Sequence, residues 1–116
     1  MDDLEITKLC AEAMGLFFGV SKSDPNPDNL YVSVSAFAGP WMFYDPLHDD
    51  AQAMALVKKF HILLYWNDQA SEPRWEAEIG NVMGFGNPDG KVDPQEGLNR
   101  AICECVAKMQ KEKRAP

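Results

Sequence analysis

LNRAICECVAKM, residues 98–109, is the stretch that decides the fold. Its apolar side chains recur at the three-and-four-residue spacing of one helix face, which predicts an amphipathic helix that buries this face. The face comprises Leu98, Ala101, Ile102, Cys105, Val106 and Met109. Asp93 precedes the helix as its cap, Pro94 as its first residue, and Glu96 completes a capping box. Basic residues up to Arg114 suit the negative end of the helix dipole.

Strand patterns precede this helix. RWEAEIG (74–80) alternates apolar and charged residues, which predicts a strand with one face in water. HILLYW (61–66) has the composition of a strand, but its central leucine pair also suits a helix extension, so both interpretations stay open. The simplest pairing of the two segments is an antiparallel hairpin. NVMGFG (81–86) either continues the second strand or forms a third.

Two further helices are predicted in the first half of the chain. The first runs from about Asp3 to Phe17, where apolar residues again recur at helical spacing. The second begins with Asp45 as its cap and Pro46 as its first residue, and it runs to Phe60. Between them, LYVSVSAFA (30–38) alternates like a strand, with Leu30, Val32, Val34 and Ala36 on its apolar face. WMFY (41–44) follows as a second strand.

This order of elements predicts an α+β fold, an α/β layered sandwich. Three helices pack on one small, mainly antiparallel sheet of three to five strands. We expect a single domain over residues 1–116, since this length is typical of one domain. The predicted core comprises Leu9, Ala13, Val32, Val57, Trp75, Ile102 and Cys105.

The net charge of −7 constrains the binding partners. Direct binding of nucleic acid needs a basic surface, so we do not expect it. An acidic face attracts a basic protein, including one that normally binds nucleic acid, although the same charge also serves solubility. The longest uncharged stretch (29–44) is too short and too polar to span a membrane. Acidic residues at the N-terminus are unlike a signal peptide, so we expect a cytoplasmic protein.

The three cysteines do not form a metal or redox motif. Cys103 and Cys105 lie two residues apart in a predicted helix and therefore point to different faces. Cys10 and Cys105 fall on apolar helix faces, which predicts buried thiols.

FGNPDGKVDPQE (85–96) has nearly the spacing of a calcium-binding EF-hand loop. However, Phe85 stands where the loop needs a carboxylate, and Pro88 and Pro94 fall where the loop must wrap the ion. Asp93 and Glu96 already serve the following helix as cap and capping-box residues. We therefore interpret the segment as a β-turn that leads into a capped helix, and we expect no metal site.

No catalytic group is evident in the sequence. His48, Asp49 and Asp50 are adjacent, but neighbouring residues on a helix point in different directions, and the two acids suit its first turn. His61 has no evident partner. No serine or cysteine has a nucleophile signature, and no glycine-rich phosphate loop is present. We expect no catalytic residue and no cofactor.

GPWMFYDP (39–46) is the most suggestive binding stretch. In an extended chain Trp41 and Phe43 point one way, whereas Met42 and Tyr44 point the other. Either one pair is exposed for a partner, or the stretch is a central strand covered on both faces by helices.

Three segments together resemble the phage ABA-sandwich domain, a family of small bacteriophage and prophage proteins without a general assigned activity. The resemblance includes a helix that ends in Met-Gly, a Tyr-x-Pro turn into an alanine-rich helix, a tryptophan-bearing strand pair and a last helix with Ala-Ile-Cys. These features correspond to Met14-Gly15, Tyr44-Asp45-Pro46, residues 51–57, Trp66 or Trp75, and Ala101-Ile102-Cys103. Leu16-Phe17 stands where the family often has tryptophan, and residues 19–45 follow no alignable pattern. The resemblance implies a layered α/β fold and a phage origin, and it supplies no catalytic residue.

Two functional hypotheses follow. The first is a non-enzymatic phage accessory protein that binds a host or phage protein, for example as an inhibitor of a host-defence complex. Its predicted binding residues are Trp41, Phe43, Tyr44, Asp45, Asp49 and Asp50. The second is a small enzyme or a ligand- or metal-binding domain, with the degenerate EF-hand-like loop 85–96 as the candidate metal segment. A homodimer remains open under either hypothesis.

Overall fold

The structure is a computed structural model that describes residues 1–19, 23–35, 40–71, 73–86 and 97–114. Its helices and strands are α1 (Asp3–Ala13), β1 (Phe17–Gly19), β2 (Leu30–Ser33), β3 (Met42–Tyr44), α2 (Asp50–Phe60), β4 (Leu63–Asn67), β5 (Arg74–Ile79), β6 (Val82–Phe85) and α3 (Gly97–Arg114). The predicted α+β fold with three helices and antiparallel strands is confirmed.

The strands form two three-stranded antiparallel sheets, β1-β2-β3 and β4-β5-β6, where the sequence predicted one sheet. Within the described residues, no strand of one sheet pairs with a strand of the other. Side chains from the helices cover one outer edge of each sheet. Gln52 of α2 bonds to the outer edge of β3, and Glu104 and Lys108 of α3 bond to the outer edge of β6.

The helix α3 lies at the centre of the molecule and contacts α1, α2, β5 and β6. Of the predicted core, four residues are buried and three are partly buried against them. The buried residues are Leu9, Val32, Ile102 and Cys105, and the partly buried ones are Ala13, Val57 and Trp75. All three cysteines are buried, as predicted, and Cys103 faces α1, where the Cys10 thiol donates to its carbonyl oxygen at 3.4 Å.

The first helix is shorter than predicted and ends at Ala13 instead of Phe17. Gly15 adopts a positive φ of 74°, a conformation that glycine enters at little cost. Because the chain turns there, Phe17 begins the strand β1 instead of extending the helix.

The second helix begins at Asp50, and its cap is Asp49, so the prediction of Asp45 as the cap is wrong. The Asp49 carboxylate accepts from the Gln52 backbone N–H at 3.0 Å. Asp45 instead begins a turn, because its carbonyl oxygen accepts from the backbone N–H groups of His48 and Asp49. Asp45 and Pro46 therefore begin a turn that precedes α2, and they are not part of the helix.

The strand segments are mostly where the pattern placed them. Within HILLYW the strand β4 begins only at Leu63, because His61 ends α2 in a left-handed conformation, and β6 is a separate third strand. The strand that begins at Leu30 ends at Ser33, and Val34 is 81% exposed instead of buried. Residues 36–38 and the predicted cap residues Asp93, Pro94 and Glu96 lie outside the described residues.

The prediction of one wet face on β5 is wrong for Glu76, which is only 4% exposed. Its carboxylate accepts from Asn67 Nδ2 and from Arg74 Nε, each at 3.0 Å, and from the Tyr65 hydroxyl. Burial raises the pKa of Glu76, but these hydrogen bonds outweigh burial, so its pKa lies below the ordinary value. Asn67, Arg74 and Tyr65 lie on the same face of the sheet as Glu76, so their side chains cover its carboxylate.

Candidate functional site

An acidic cleft of about 390 Å³ lies between the start of α1, the loop before β2 and the turn after β3. We call this feature the acidic cleft. Four carboxylates line it, together with apolar side chains, and among the residues that the structure describes no lysine or arginine does. The carboxylates are Asp2, Asp3, Asp28 and Asp45, and the apolar residues include Leu4, Leu30, Phe43 and Leu47. Such a lining suits a ligand with a positive charge and an apolar stem.

The start of α1 positions two of these carboxylates. Asp2 is the cap of the helix and accepts from the Glu5 backbone N–H at 2.8 Å. Asp3 pairs with Arg100 of α3 at 3.0 Å, so Arg100 offsets part of its charge. The Asp3 side chain nevertheless remains 61% exposed and accessible to a ligand.

The loop before β2 positions Asp28. Asp24 organises this loop, because its carboxylate accepts from the Asn26 backbone N–H at 2.9 Å, Asn29 Nδ2 at 3.0 Å and the Tyr31 hydroxyl at 2.5 Å. The hydrogen bonds from Tyr31, Asn26 and Asn29 lower the pKa of Asp24. Asp28 is exposed and donates its backbone N–H to Asn26 Oδ1, so its own carboxylate is free to face the cleft.

The turn after β3 positions Asp45 and His48. The His48 Nδ1 atom lies 2.9 Å from the Asp45 carboxylate, and the imidazole is largely exposed. The Asp45 backbone N–H donates to Gln52 Oε1, which ties the turn to α2. The turn therefore presents one carboxylate and one histidine at the rim of the cleft.

Exposed aromatic side chains lie beside the cleft. Trp41 is 48% exposed and Phe43 is 47% exposed, and the Phe43 ring tilts against Tyr31 with centroids 5.8 Å apart. Met42 is also exposed, whereas Tyr44 is buried. Because β3 is an edge strand, the interpretation of WMFY as a central strand covered on both faces is wrong. Trp41 and Phe43 are exposed, but so is Met42 at 60%, so the segment does not divide into one exposed and one buried pair.

The six predicted binding residues do not all lie together. Phe43, Tyr44 and Asp45 line the cleft, and Trp41 precedes them on the same edge. Asp49 is occupied as the cap of α2 and Asp50 accepts from Asn99 Nδ2 at 2.8 Å, so both belong to the helix start instead of the cleft.

Sequence reasoning missed Asp2, Asp3 and Asp28. The first two stand in the first turn of a predicted helix, where acids have a local explanation. Asp28 lies in a turn-rich loop. Only the fold brings these three carboxylates to the segment 43–48, and no local pattern joins them.

Three buried side chains, Tyr44, Cys103 and Cys105, have raised pKa values. Burial raises the pKa of the Tyr44 phenol well above its ordinary value. Hydrogen bonding to Cys10 and burial raise the pKa of the Cys103 thiol, and burial raises the pKa of Cys105 to about 11. These groups therefore stay protonated near neutral pH and are poor nucleophiles. Among the described residues, no group of three or more potential ligand side chains is arranged to hold a metal ion.

Comparisons with protein-family models, with curated proteins and with solved structures find no match. The resemblance to the phage ABA-sandwich domain therefore stays a prediction. No helix in the described part of the chain is long and apolar enough to cross a membrane.

Proposed function

We propose that this protein is a non-enzymatic binding module that receives basic side chains of a partner protein in the acidic cleft. The observation that supports the proposal is one cleft lined by four carboxylates and by apolar side chains. The carboxylates are Asp2, Asp3, Asp28 and Asp45. A lysine or arginine side chain matches this lining, since its stem is apolar and its end is cationic. The net charge of −7 adds long-range attraction for a basic partner.

The aromatic edge beside the cleft supplies the second part of the proposed surface. Exposed tryptophan and phenylalanine side chains contribute strongly to protein interfaces when a partner covers them. Trp41 and Phe43 are each about half exposed, and Phe43 also lines the cleft. A partner that places a basic side chain in the cleft therefore covers Phe43 at the same time.

The resemblance to phage proteins makes bacterial proteins the first partners to test. In that setting the protein acts in the bacterial cytoplasm and binds a host or phage protein. Inhibition of a host-defence complex, including one that normally binds nucleic acid, is one consequence of such binding. The acidic cleft supports binding to the protein component of such a complex instead of its nucleic acid.

A direct test titrates the protein with an arginine-rich peptide that contains one aromatic residue, measured by NMR chemical shifts and calorimetry. We expect shifts around residues 2–4 and 43–48, and an affinity that falls as salt is added. Asp28→Lys should weaken binding about tenfold or more. The matched control is Asp68→Lys, which makes the same charge change at an exposed turn residue outside the cleft.

Phe43→Ala tests the aromatic part of the surface, with Met54→Ala of α2 as the exposed apolar control. If Asp28→Lys and Asp68→Lys weaken binding equally, the interaction is only general charge attraction and the cleft has no role. A pull-down from bacterial extract with wild type and Asp28→Lys as parallel baits then identifies partners that depend on the cleft.

The His48–Asp45 pair favours a second candidate function, a small-molecule site or enzyme. A carboxylate beside a histidine holds the imidazole in position, and such a histidine can act as a base. Incubation with a pool of bacterial metabolites, followed by mass spectrometry, tests this function. Turnover by wild type that is lost in His48→Ala would favour the enzyme over the binding module.

A further inference from the structure

Two of the four sheet edges are covered by side chains of the helices. At the edge of β3, the Gln52 side chain of α2 donates to the Phe43 carbonyl oxygen at 3.0 Å and accepts from the Asp45 N–H at 2.6 Å. Gln52 therefore takes the place of a neighbouring strand. A covered edge cannot pair with another chain.

The edge of β6 is covered in the same way by α3. The Phe85 N–H donates to Glu104 Oε1 at 3.4 Å, and Lys108 Nζ donates to the Met83 carbonyl oxygen at 3.1 Å. Of the two remaining edges, β1 has only three residues, which limits the hydrogen bonds it can offer.

The edge of β4 is different. Its sequence LLYWN has no charge and no proline, the features by which proteins usually protect an exposed edge. Leu63 is 58% exposed and Trp66 is 42% exposed. Within the described part of the chain, no side chain bonds to the outer backbone groups of this strand in the way that Gln52 and α3 bond to the other edges.

The register of the sheet identifies these outer groups. The Gly86 N–H donates to the Trp75 carbonyl oxygen, so the backbone groups of Trp75 face β6 and those of Glu76 face β4. Glu76 stands opposite Tyr65, so Tyr65 bonds to β5. The N–H and C=O groups of Leu64 and Trp66 therefore point outward. By the same alternation, the backbone N–H and C=O groups of Met83 and Phe85 point outward from β6, where side chains of α3 bond to them.

We propose that β4 pairs with β4 of a second copy of this chain, antiparallel about a two-fold axis at Tyr65. In this register Leu64 stands opposite Trp66 of the second copy, and the outward groups of both residues form four hydrogen bonds. The two sheets then join into one six-stranded sheet. The interface is independent of the acidic cleft.

A second copy fits this edge because the segment is complementary to itself. Leu64 and Trp66 lie symmetrically on either side of Tyr65. When two copies pair about Tyr65, Leu64 and Trp66 of one copy therefore lie opposite Trp66 and Leu64 of the other, as a two-fold interface requires. The exposed Trp66 gains an apolar neighbour in Leu64 of the second copy, and Leu63 lies opposite Asn67, so no like charges face each other across the strands. The charge of −7 on each chain opposes association at long range, so added salt should strengthen the dimer.

Sedimentation equilibrium over a range of concentrations up to millimolar tests the association. We expect a reversible species of twice the 13.0 kDa chain mass. Trp66→Lys should weaken this dimer about tenfold or more, because it removes the contact of Trp66 with Leu64 of the second copy and places two like charges about 7 Å apart along the joined edge. Met54→Lys replaces a similarly exposed apolar residue on α2 and should leave the dimer unchanged. A wild-type chain that stays monomeric at the highest concentration overturns the proposal.

Disulfide trapping tests the register. With the native cysteines buried, Tyr65→Cys should give a covalent dimer on mild oxidation with diamide, since residues 65 of the two copies face each other at the axis. Leu63→Cys should not, because four residues of offset separate the two copies of position 63 by about 13 Å. Equal trapping of both variants, or of neither while both remain folded by circular dichroism, overturns the proposed pairing.

Discussion

Gly84 of β6 lies directly against Ala101 of α3. A Cβ atom at position 84 would stand 2.1 Å from the Ala101 carbonyl oxygen and 2.6 Å from the Cys105 nitrogen. Both neighbours are helix backbone, which cannot move aside as a flexible side chain can. The contact therefore requires glycine and sets the distance between α3 and its sheet.

Gly84→Ala should destabilise the protein by about 3 kcal/mol or more, since α3 must move away from β6 to admit the methyl group. Denaturant unfolding followed by circular dichroism measures the change. Gly19→Ala is the matched control, because a Cβ atom at Gly19 of β1 meets nothing within 4 Å. Similar stability losses in the two variants would show that the close approach is not the cause.

Ile102→Ala tests the central position of α3. Ile102 is fully buried in the core, so removal of its side chain should cost about 2–5 kcal/mol in the free energy of unfolding. Met54→Ala on the exposed side of α2 should change stability by less than about 0.5 kcal/mol. A loss below about 0.5 kcal/mol for Ile102→Ala would contradict the position of α3 in the core.

The buried Glu76 carboxylate should make stability depend on pH. Its folded pKa lies below the unfolded value of about 4.5, so its contribution is present above that pH and is lost as pH falls through the folded pKa. At neutral pH, Glu76→Gln should cost about 1–3 kcal/mol, the value of hydrogen bonds to a buried charged group. The difference from wild type should shrink towards acid pH.

Thermal unfolding from neutral to acid pH measures this effect. Glu78→Gln is the control, because it removes a carboxylate from the half-buried neighbouring position on the same face of β5. A stability difference between wild type and Glu76→Gln that stays constant with pH would mean that packing, and not the charge, is responsible.

The sequence predicted an element correctly where its buried residues follow the helix or strand period of that element alone. On the apolar face of LNRAICECVAKM, four residues are buried and Leu98 and Met109 are partly buried, and HILLYW and RWEAEIG pair as the hairpin β4–β5. The start of α2 was mispredicted because Asp45 and Asp49 have the same capping chemistry and Pro46 strengthens the wrong candidate. Glu76 was mispredicted because its burial depends on Tyr65 and Asn67 of a paired strand, which alternation within β5 does not report.

The candidate site shows the same limit. Strand alternation did not determine which side chains of the segment 41–44 are exposed, since Trp41, Met42 and Phe43 are all exposed and Tyr44 alone of the four is buried. The cleft requires Asp2 and Asp28 to meet Asp45 across distant parts of the chain, and only tertiary packing determines this. The cover of the β6 edge likewise depends on long-range contacts, such as the one between Lys108 and Met83.

Gln52→Ala should cost about 1 kcal/mol, because the Phe43 carbonyl oxygen and the Asp45 N–H lose their partner at a partly exposed edge. Asn99→Ala, which removes only the exposed hydrogen bond to Asp50, should cost a few tenths of a kcal/mol. Chemical denaturation measures both. Amide hydrogen exchange at residues 43–45 should quicken only in Gln52→Ala, and unchanged exchange there would argue against Gln52 as the cover of this edge.

We predict that residues 85–96 bind no calcium, for a reason that the structure adds to the sequence. Residues 87–96 lie outside the described residues, but Phe85, at the first position of the EF-hand-like spacing, is the last residue of β6. Its ring lies 4.6 Å from Arg74 Cζ and 5.1 Å from Lys108 Nζ, so the first position of the spacing holds a packed aromatic ring and offers no oxygen ligand to a calcium ion. Calorimetric titration with calcium should therefore give only the heat of dilution, unchanged by Glu96→Gln. A stoichiometric site of micromolar affinity that Glu96→Gln abolishes would instead establish the segment as a calcium loop.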